Sequence, residues 1–100
     1  MDQNEVIRKV KEYSLLVSKH FDLDRVILFG SYARGTSNEY SDIDVAVIVK
    51  SVTGDYFSVV PLLWKLCRQV DDRIEPVLFE KDRDESGFLA AILKQGIEIK

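Results

Sequence analysis

A seven-residue run that is apolar at almost every position, Ile43-Asp44-Val45-Ala46-Val47-Ile48-Val49, constrains the fold of this chain more than any other feature. Such a β-branched run is typical of a strand that is covered on both faces of a sheet. A second short run, Val26-Ile27-Leu28-Phe29, has the same character and stops at a glycine. One hundred residues leave room for one core, so we expect residues 1–100 to form a single domain.

Helical and strand patterns alternate along the rest of the chain. Apolar residues at helical spacing predict an amphipathic helix over about 5–20. One helical turn is predicted over 31–35, helices over 59–70 and 84–95, and strands over 74–79 and 97–99. The predicted order is therefore α-β-α-β-α-β-α-β. The apolar residues of the first helix are Val6, Val10, Tyr13, Val17 and Phe21.

The helix predicted over 59–70 contains a proline, and two aromatic residues in or just before it lie away from its apolar stripe. Pro61 is tolerated in a first helical turn, where its missing N–H costs nothing, and Ser58 is the expected N-cap. Phe57 and Trp64 lie more than about 100° from the centre of the apolar stripe. Either another element covers these two rings, or they are exposed and available to a partner. The stripe consists of Val59, Leu62, Leu63, Leu66 and Val70.

Two aspartates stand at the beginning of the long apolar run. Asp42 and Asp44 occupy positions i and i+2 of the predicted strand, so their side chains point the same way and can share a hard cation. Burying an unpartnered carboxylate is costly. We therefore expect both aspartates at the exposed end of the strand, where a metal ion compensates their charge.

A glycine and a serine follow the shorter apolar run. Gly30 and Ser31 let a backbone come close to phosphate oxygens, because one has no side chain and the other a small hydroxyl group. Ten residues separate Ser31 from Asp42. An Asp-x-Asp pair alone also occurs in calcium loops, glycosyltransferases and turns. Combined with the glycine-serine turn, it indicates a magnesium-dependent nucleotide site.

Two segments of the chain resemble the minimal nucleotidyltransferase (MNT) family of the DNA polymerase beta superfamily. They are Leu28-Phe29-Gly30-Ser31-Tyr32-Ala33-Arg34-Gly35 and Ser41-Asp42-Ile43-Asp44-Val45. The ending Ile92-Leu93-Lys94-Gln95-Gly96-Ile97-Glu98-Ile99 also resembles the closing helix, glycine and strand of these domains. The resemblance implies an α/β (α+β) nucleotidyltransferase fold, with a mixed sheet of about four strands flanked by helices.

The resemblance also implies the composition of the site. A third acidic residue from a later strand completes the metal site in this family, and Glu75 occupies the matching position, where many members have aspartate. Asp42, Asp44 and Glu75 are then the catalytic residues and the ligands of two Mg²⁺ ions. The residues implied to bind the nucleotide are Gly30, Ser31, Arg34 and Ser41. For Arg34, an internal ion pair with a nearby acid is an equal alternative to a triphosphate contact.

The implied reaction is transfer of AMP from ATP to an acceptor hydroxyl group. Domains of this size resemble the antitoxin half of two-gene toxin–antitoxin pairs whose other half is a small helical HEPN-type ribonuclease, and the antitoxin adds AMP to a tyrosine of that toxin. Two alternatives remain open. The chain could be a non-catalytic antitoxin that neutralises its partner by complex formation, or the catalytic subunit of a split small-molecule nucleotidyltransferase.

Composition sets the remaining expectations. A net charge of −3, from 14 basic and 17 acidic residues, argues against nonspecific binding to nucleic acid. The single cysteine, Cys67, cannot form an internal disulfide bond. No stretch resembles a signal peptide or a membrane span, so the cytoplasm is the expected location and no membrane contact is expected.

Overall fold

Helices and strands alternate in the predicted order. The computed structural model describes residues 1–52, 55–84 and 86–100, with Tyr56 described by its backbone alone. The elements are α1 (Gln3–Ser18), β1 (Leu23–Phe29), α2 (Ser31–Arg34), β2 (Ile43–Val49), α3 (Tyr56–Cys67), β3 (Ile74–Glu80), α4 (Phe88–Gln95) and β4 (Ile97–Glu98). Within the described ranges, no helix is both long and apolar enough to cross a bilayer.

The four strands form one mixed sheet in the order β3-β2-β1-β4. β1 runs antiparallel to β2 and to β4, whereas β2 and β3 are parallel. The expected mixed sheet of about four strands is therefore confirmed. The central strand β2 has the bounds that its apolar run predicted, and every residue from Val45 to Val49 is buried.

Helices cover both faces of the sheet. α1 and α3 pack on one face, against alternate β2 residues such as Val45 and Val47. α4 packs on the other face, where Leu89 and Ile92 contact a smaller cluster that includes Ala46. Because side chains alternate along a strand, Asp44 points to the α4 face. The two clusters explain why β2 is apolar at consecutive positions.

α1 confirms the predicted amphipathic helix, with its start two residues earlier. Asp2 caps it, because its side chain accepts a hydrogen bond from Glu5 N at 2.8 Å. The buried Tyr13 hydroxyl donates to the carbonyl oxygen of Leu63 at 3.0 Å and ties α1 to α3. Of the predicted stripe, Phe21 is half-buried and the others are fully buried: Val6, Val10, Tyr13 and Val17.

The predicted start of α3 is wrong by three residues. Asp55, rather than Ser58, is the cap, because its carboxylate accepts from Ser58 N at 2.9 Å. Pro61 consequently lies inside the helix, where it removes the hydrogen bond to the Phe57 carbonyl. This carbonyl belongs to an exposed turn, where water can replace the missing donor. The Phe57 and Trp64 side chains are 93% and 38% exposed, so both rings reach the surface.

The predicted start of α4 is also wrong. The pattern predicted a helix from Asp84, but α4 begins at Phe88. The Asp84 carboxylate instead accepts hydrogen bonds from the backbone N–H groups of Leu89 at 3.0 Å and Ala90 at 2.8 Å. A short acidic side chain that bonds to nearby backbone donors favours a turn over a helix interior. Glu85, in the predicted first turn, lies outside the described residues.

An ion-pair network joins α1 to the turn before β3. Lys9 Nζ donates to Asp71 Oδ2 at 2.6 Å, and Asp71 Oδ1 accepts from Arg73 N at 2.9 Å. Burial acts to raise the pKa of Asp71, but the hydrogen bonds from Lys9 and Arg73 outweigh it and lower the pKa from 3.8 to about 2. The network therefore stabilises the fold while Asp71 is ionised.

We expect Asp71→Asn to lower the free energy of unfolding by about 2 kcal/mol at pH 7, from the lowered pKa. The folded-state pKa lies below the unfolded one, so this contribution is fully present above about pH 4 and is lost as pH falls towards about 2. Urea unfolding of both proteins between pH 2 and 7 measures the difference. Asp72→Asn, at the exposed neighbouring residue, is the control. A loss that stays constant down to pH 2 would contradict the assignment.

Candidate active site

Three carboxylates meet at one end of the sheet. Asp42 precedes β2 and is exposed, Asp44 is the second residue of β2 and is half-buried, and Glu75 is the second residue of β3 and is exposed. β2 and β3 are parallel, and Asp44 is the register partner of Glu75. All three side chains therefore lie on the α4 face, at the exposed strand end that the sequence predicted for the two aspartates.

The carboxylates interact electrostatically. Burial raises the pKa of Asp44, the charge of Asp42 raises it further, and the charge of Arg34 opposes the shift. Burial also raises the pKa of Glu75, together with the charges of Asp42 and Asp44 and a hydrogen bond with Asp42. The charge of Asp42 thus disfavours the ionised forms of both Asp44 and Glu75. A cation bound between them relieves this repulsion.

The donor set fits a hard divalent cation. Carboxylate oxygens are the ligands that Mg²⁺ takes in proteins, usually one or two of them supplemented by substrate phosphates and water. In the described part of the chain, no group of three or more His, Cys, Asp or Glu side chains is arranged so that it could hold a metal ion by itself. The carboxylates instead border an open corner. This arrangement suits an ion that completes its shell with ligands from outside the protein.

Gly30 connects β1 to α2 directly beside this corner. Its backbone has φ 75° and ψ −153°, a region that is open essentially to glycine alone. A Cβ built on Gly30 would clash with Oδ2 of Asp44. The close approach follows from the sheet register, because Phe29 is the β1 partner of Asp44. Gly30 is therefore required both by the turn and by the space next to the carboxylates.

The predicted helical turn after Gly30 is present as α2. Gly35 ends it in the left-handed conformation, with φ 75° and ψ 19°, and its N–H donates to the Ser31 carbonyl. The Arg34 N–H donates to the Gly30 carbonyl at 3.1 Å, whereas the N–H groups of the first three residues of α2 have no acceptor within the helix. Ser31 is half-buried at the start of this turn, and the exposed Arg34 ends it.

Ser41 lies in the loop that leads to Asp42. Its hydroxyl oxygen accepts a hydrogen bond from Asn38 N at 2.9 Å, and its own N–H donates to the Asn38 carbonyl at 3.1 Å. These bonds close a tight turn immediately before the first aspartate. The hydroxyl hydrogen of Ser41 takes no part in them, so it can still be donated to a ligand.

A cavity of about 120 Å³ adjoins the glycine-serine turn, and sequence reasoning missed it. One wall consists of Phe29, Gly30 and Arg34. The other is the face of α4 formed by Phe88, Ala91, Ile92 and Gln95. The spacing i, i+3, i+4, i+7 identifies these four residues as one helical face. The spacing does not reveal that this face lies opposite Gly30.

Known proteins with similar sequences share one family. A family model described as "Nucleotidyltransferase domain" matches residues 5–96. A relative in Methanocaldococcus jannaschii, MJ0141, is provisionally named a protein adenylyltransferase. It is 33% identical over 99 residues, which cover 95% of this chain and 99% of the relative.

Solved structures share the fold. A provisionally assigned nucleotidyltransferase from Sulfolobus solfataricus superposes with a TM-score of 0.72 at 21% identity, covering 96% of this chain and 80% of the other. A chain of a toxin–antitoxin complex with AMP-PNP superposes with a TM-score of 0.67 at 28% identity, covering 92% and 72%. The mixed sheet and its flanking helices are thus common to all three chains.

Proposed function

This chain belongs to the nucleotidyltransferase domain family, and from that premise we propose that it transfers AMP from ATP to a hydroxyl group of a partner protein in a Mg²⁺-dependent reaction. The observation that carries the proposal is the meeting of Asp42, Asp44 and Glu75 beside the Gly30 turn, on one face of the sheet. Three acidic side chains beside a turn without a side chain suit metal-dependent nucleotide chemistry.

In this proposal the carboxylates hold the cation and the acceptor. Asp42 and Asp44 would hold Mg²⁺, and Glu75 would complete the metal site on the side of the acceptor. Bound Mg²⁺ neutralises phosphate charge and makes the acceptor hydroxyl easier to deprotonate. As the acidic residue on the acceptor side in this proposal, Glu75 would also take the acceptor proton. The acceptor oxygen then attacks the α-phosphorus, and pyrophosphate leaves.

The turn after β1 holds the leaving phosphates in this proposal. Gly30 has no side chain to keep a phosphate from the backbone, and the N–H groups of the first three residues of α2, which have no helical acceptor, would donate to that phosphate. The hydroxyl groups of Ser31 and Ser41 add neutral donors. Arg34 adds a positive charge, which favours the triphosphate over a neutral ligand.

We further propose that the partner is a small helical HEPN-type toxin and that the chain is its antitoxin. Two similarities support a protein acceptor. The relative MJ0141 carries the name of a protein adenylyltransferase, and a chain of similar fold belongs to a toxin–antitoxin complex with an ATP analogue. The exposed rings of Phe57 and Trp64 on α3 offer a surface on which such a partner can dock.

A transfer assay with ATP labelled at different phosphates tests the proposal. The chain is incubated with Mg²⁺, the small helical protein encoded beside it, and ATP labelled at either the α- or the γ-phosphate. We expect the α label to appear on the partner and the γ label to leave as pyrophosphate. Intact-mass measurement should show that the partner has gained one or more AMP groups, and EDTA should prevent the gain.

The other outcomes identify the alternatives. Transfer of the γ label would mean phosphoryl transfer and would refute the proposal. A stable complex without any label would indicate an antitoxin that acts by binding alone. Labelling of an added small alcohol or aminoglycoside in the presence of the partner, but not of the partner itself, would indicate the catalytic subunit of a split small-molecule nucleotidyltransferase.

A further inference from the structure

The cavity beside Gly30 is a groove between α4 and the end of β1. We call it the α4 groove and define it by Phe29, Gly30, Arg34, Phe88, Ala91 and Gln95. Ala91 and Gln95 are exposed, so the groove opens to solvent. Ala91 contributes a single methyl group to the wall between the larger Phe88 and Gln95, and this leaves space for a ligand.

Phe88 forms the apolar part of the groove. Its ring contacts Phe29 edge to face, with centroids 6.0 Å apart and an interplanar angle of 88°. It contacts Phe79 similarly, at 5.8 Å and 65°. These two rings fix the orientation of Phe88, yet 47% of the residue remains exposed. A half-exposed ring that is held from two sides is a preorganised surface for a flat ligand.

We propose that the α4 groove binds the base of the donor nucleotide, with Phe88 as the stacking surface and Gln95 as the residue that selects adenine. This inference rests on the proposed nucleotidyltransfer. It adds to that proposal a specificity for the base. The glycine-serine turn and the carboxylates do not provide this specificity, because in the proposal they contact only the phosphates and the metal.

The groove is continuous with the phosphate site. Gly30 and Arg34 line it, and both belong to the turn that holds the phosphates in the proposed reaction. Phe29, in one wall of the groove, is the strand partner of Asp44, and the backbones of paired strands lie roughly 4.8 Å apart. Phe29, Phe88 and the carboxylates also share the α4 face of the sheet. One nucleotide can therefore contact both.

The chemistry of Gln95 favours adenine over guanine. The amide of glutamine carries both donors and an acceptor, and adenine presents an N–H donor beside a ring-nitrogen acceptor, so the two can form paired hydrogen bonds. Guanine presents two acceptors on the corresponding edge and suits arginine or lysine instead. Gln95 is exposed at the end of α4, at the rim of the groove, where a base edge can reach it.

Calorimetric titration with two ligands tests the inference. Mg-ATP carries a base, whereas magnesium tripolyphosphate has only the phosphates. We expect Phe88→Ala to weaken Mg-ATP binding roughly 5- to 100-fold, the range for loss of one stacked base, and to leave tripolyphosphate binding unchanged. Gln95→Ala should bring the affinities for Mg-ATP and Mg-GTP closer together, by roughly 5-fold or more.

Two variants serve as controls. Leu15→Ala removes a large exposed apolar side chain from α1, on the opposite face of the sheet, and should change neither affinity. Phe88→Leu keeps apolar bulk but removes the aromatic face, so it should retain the fold and still lose Mg-ATP affinity. Thermal unfolding of each variant shows whether a loss of binding comes from a loss of structure.

The outcomes separate the two proposals. If neither Mg-ATP nor tripolyphosphate binds the wild type, the proposed function fails. If both bind and Phe88→Ala or Phe88→Leu weakens them equally or not at all, the base site is refuted and the phosphate site stands. If the Phe88 variants bind Mg-ATP normally but need a higher concentration of acceptor for transfer, the groove binds the acceptor, which also refutes the base site.

Discussion

Asp44→Asn is expected to abolish AMP transfer and to leave the fold intact. The substitution removes one charge from the metal-binding corner, and a loss of several kcal/mol of transition-state stabilisation corresponds to a rate decrease of roughly 10³-fold or more. The asparagine has nearly the same shape, so the contact with Gly30 is kept. Transfer of the α label from ATP and the melting temperature measure the two effects.

The melting temperature of Asp44→Asn without Mg²⁺ should equal or exceed that of the wild type. Burial and the charge of Asp42 disfavour the ionised form of Asp44, so a neutral side chain relieves strain in the apoprotein. Mg-ATP should raise the melting temperature of the wild type and have little effect on the variant. Normal transfer by Asp44→Asn, or an unchanged response to Mg-ATP, would show that the metal-site assignment is wrong.

Glu75→Gln offers a comparison within the same site. If Glu75 acts on the acceptor side, this variant should lose transfer by several orders of magnitude and keep most of its affinity for Mg-ATP. An equal loss of binding and turnover would contradict that division between Glu75 and the two aspartates. Asp72→Asn, an exposed acidic position in the turn before β3, should retain both properties.

Gly30→Val is expected to eliminate nucleotide binding and to destabilise the fold. A side chain at this position must adopt a backbone conformation that costs about 1–3 kcal/mol. Its Cβ would also occupy the space of the Asp44 carboxylate, so the carboxylate must move from its place beside Glu75. We expect no binding of Mg-ATP or of magnesium tripolyphosphate in calorimetry, and a lower melting temperature.

Gly35→Ala is the matched control for Gly30. Both glycines have φ 75°, so both substitutions strain the backbone. Among the described residues, and apart from its chain neighbours, a Cβ on Gly35 meets nothing within 4 Å, whereas a Cβ on Gly30 enters the site. Gly35→Ala should therefore lower stability and preserve Mg-ATP affinity. Equal affinity losses in the two variants would mean that strain in α2, rather than intrusion into the site, explains the effect.

Local sequence patterns predicted those elements in which the apolar positions match the buried positions. β2 has its predicted bounds because a strand covered on both faces requires apolar residues at consecutive positions, and few other structures do. The apolar stripe of α1 was predicted correctly because a helix that is covered on one face requires apolar residues at helical spacing. The start of α3 was wrong because Asp55 rather than Ser58 caps the helix, and the start of α4 was wrong because Asp84 lies in a turn and bonds to backbone N–H groups of the helix that follows.

Local sequence features are enough to predict the glycine-serine turn and the two aspartates of the candidate site. Gly30 and Ser31 follow one strand, and Asp42 and Asp44 begin the next, so two antiparallel neighbours suffice to bring the turn and the aspartates together. Residue type and chain position carry this information, because a strand end, a glycine turn and an i, i+2 pair are local features.

The positions of Glu75 and of the α4 groove depend on long-range packing. Family resemblance indicated Glu75, but its place beside Asp44 depends on the parallel pairing of β2 with β3, whose residues lie about 30 positions apart in the chain. The α4 groove depends on the packing of a helix near the end of the chain against β1. Such long-range contacts depend on the free energy of burying whole faces and on the entropy cost of closing long loops. Both quantities are properties of the whole fold, so a local sequence pattern does not predict them.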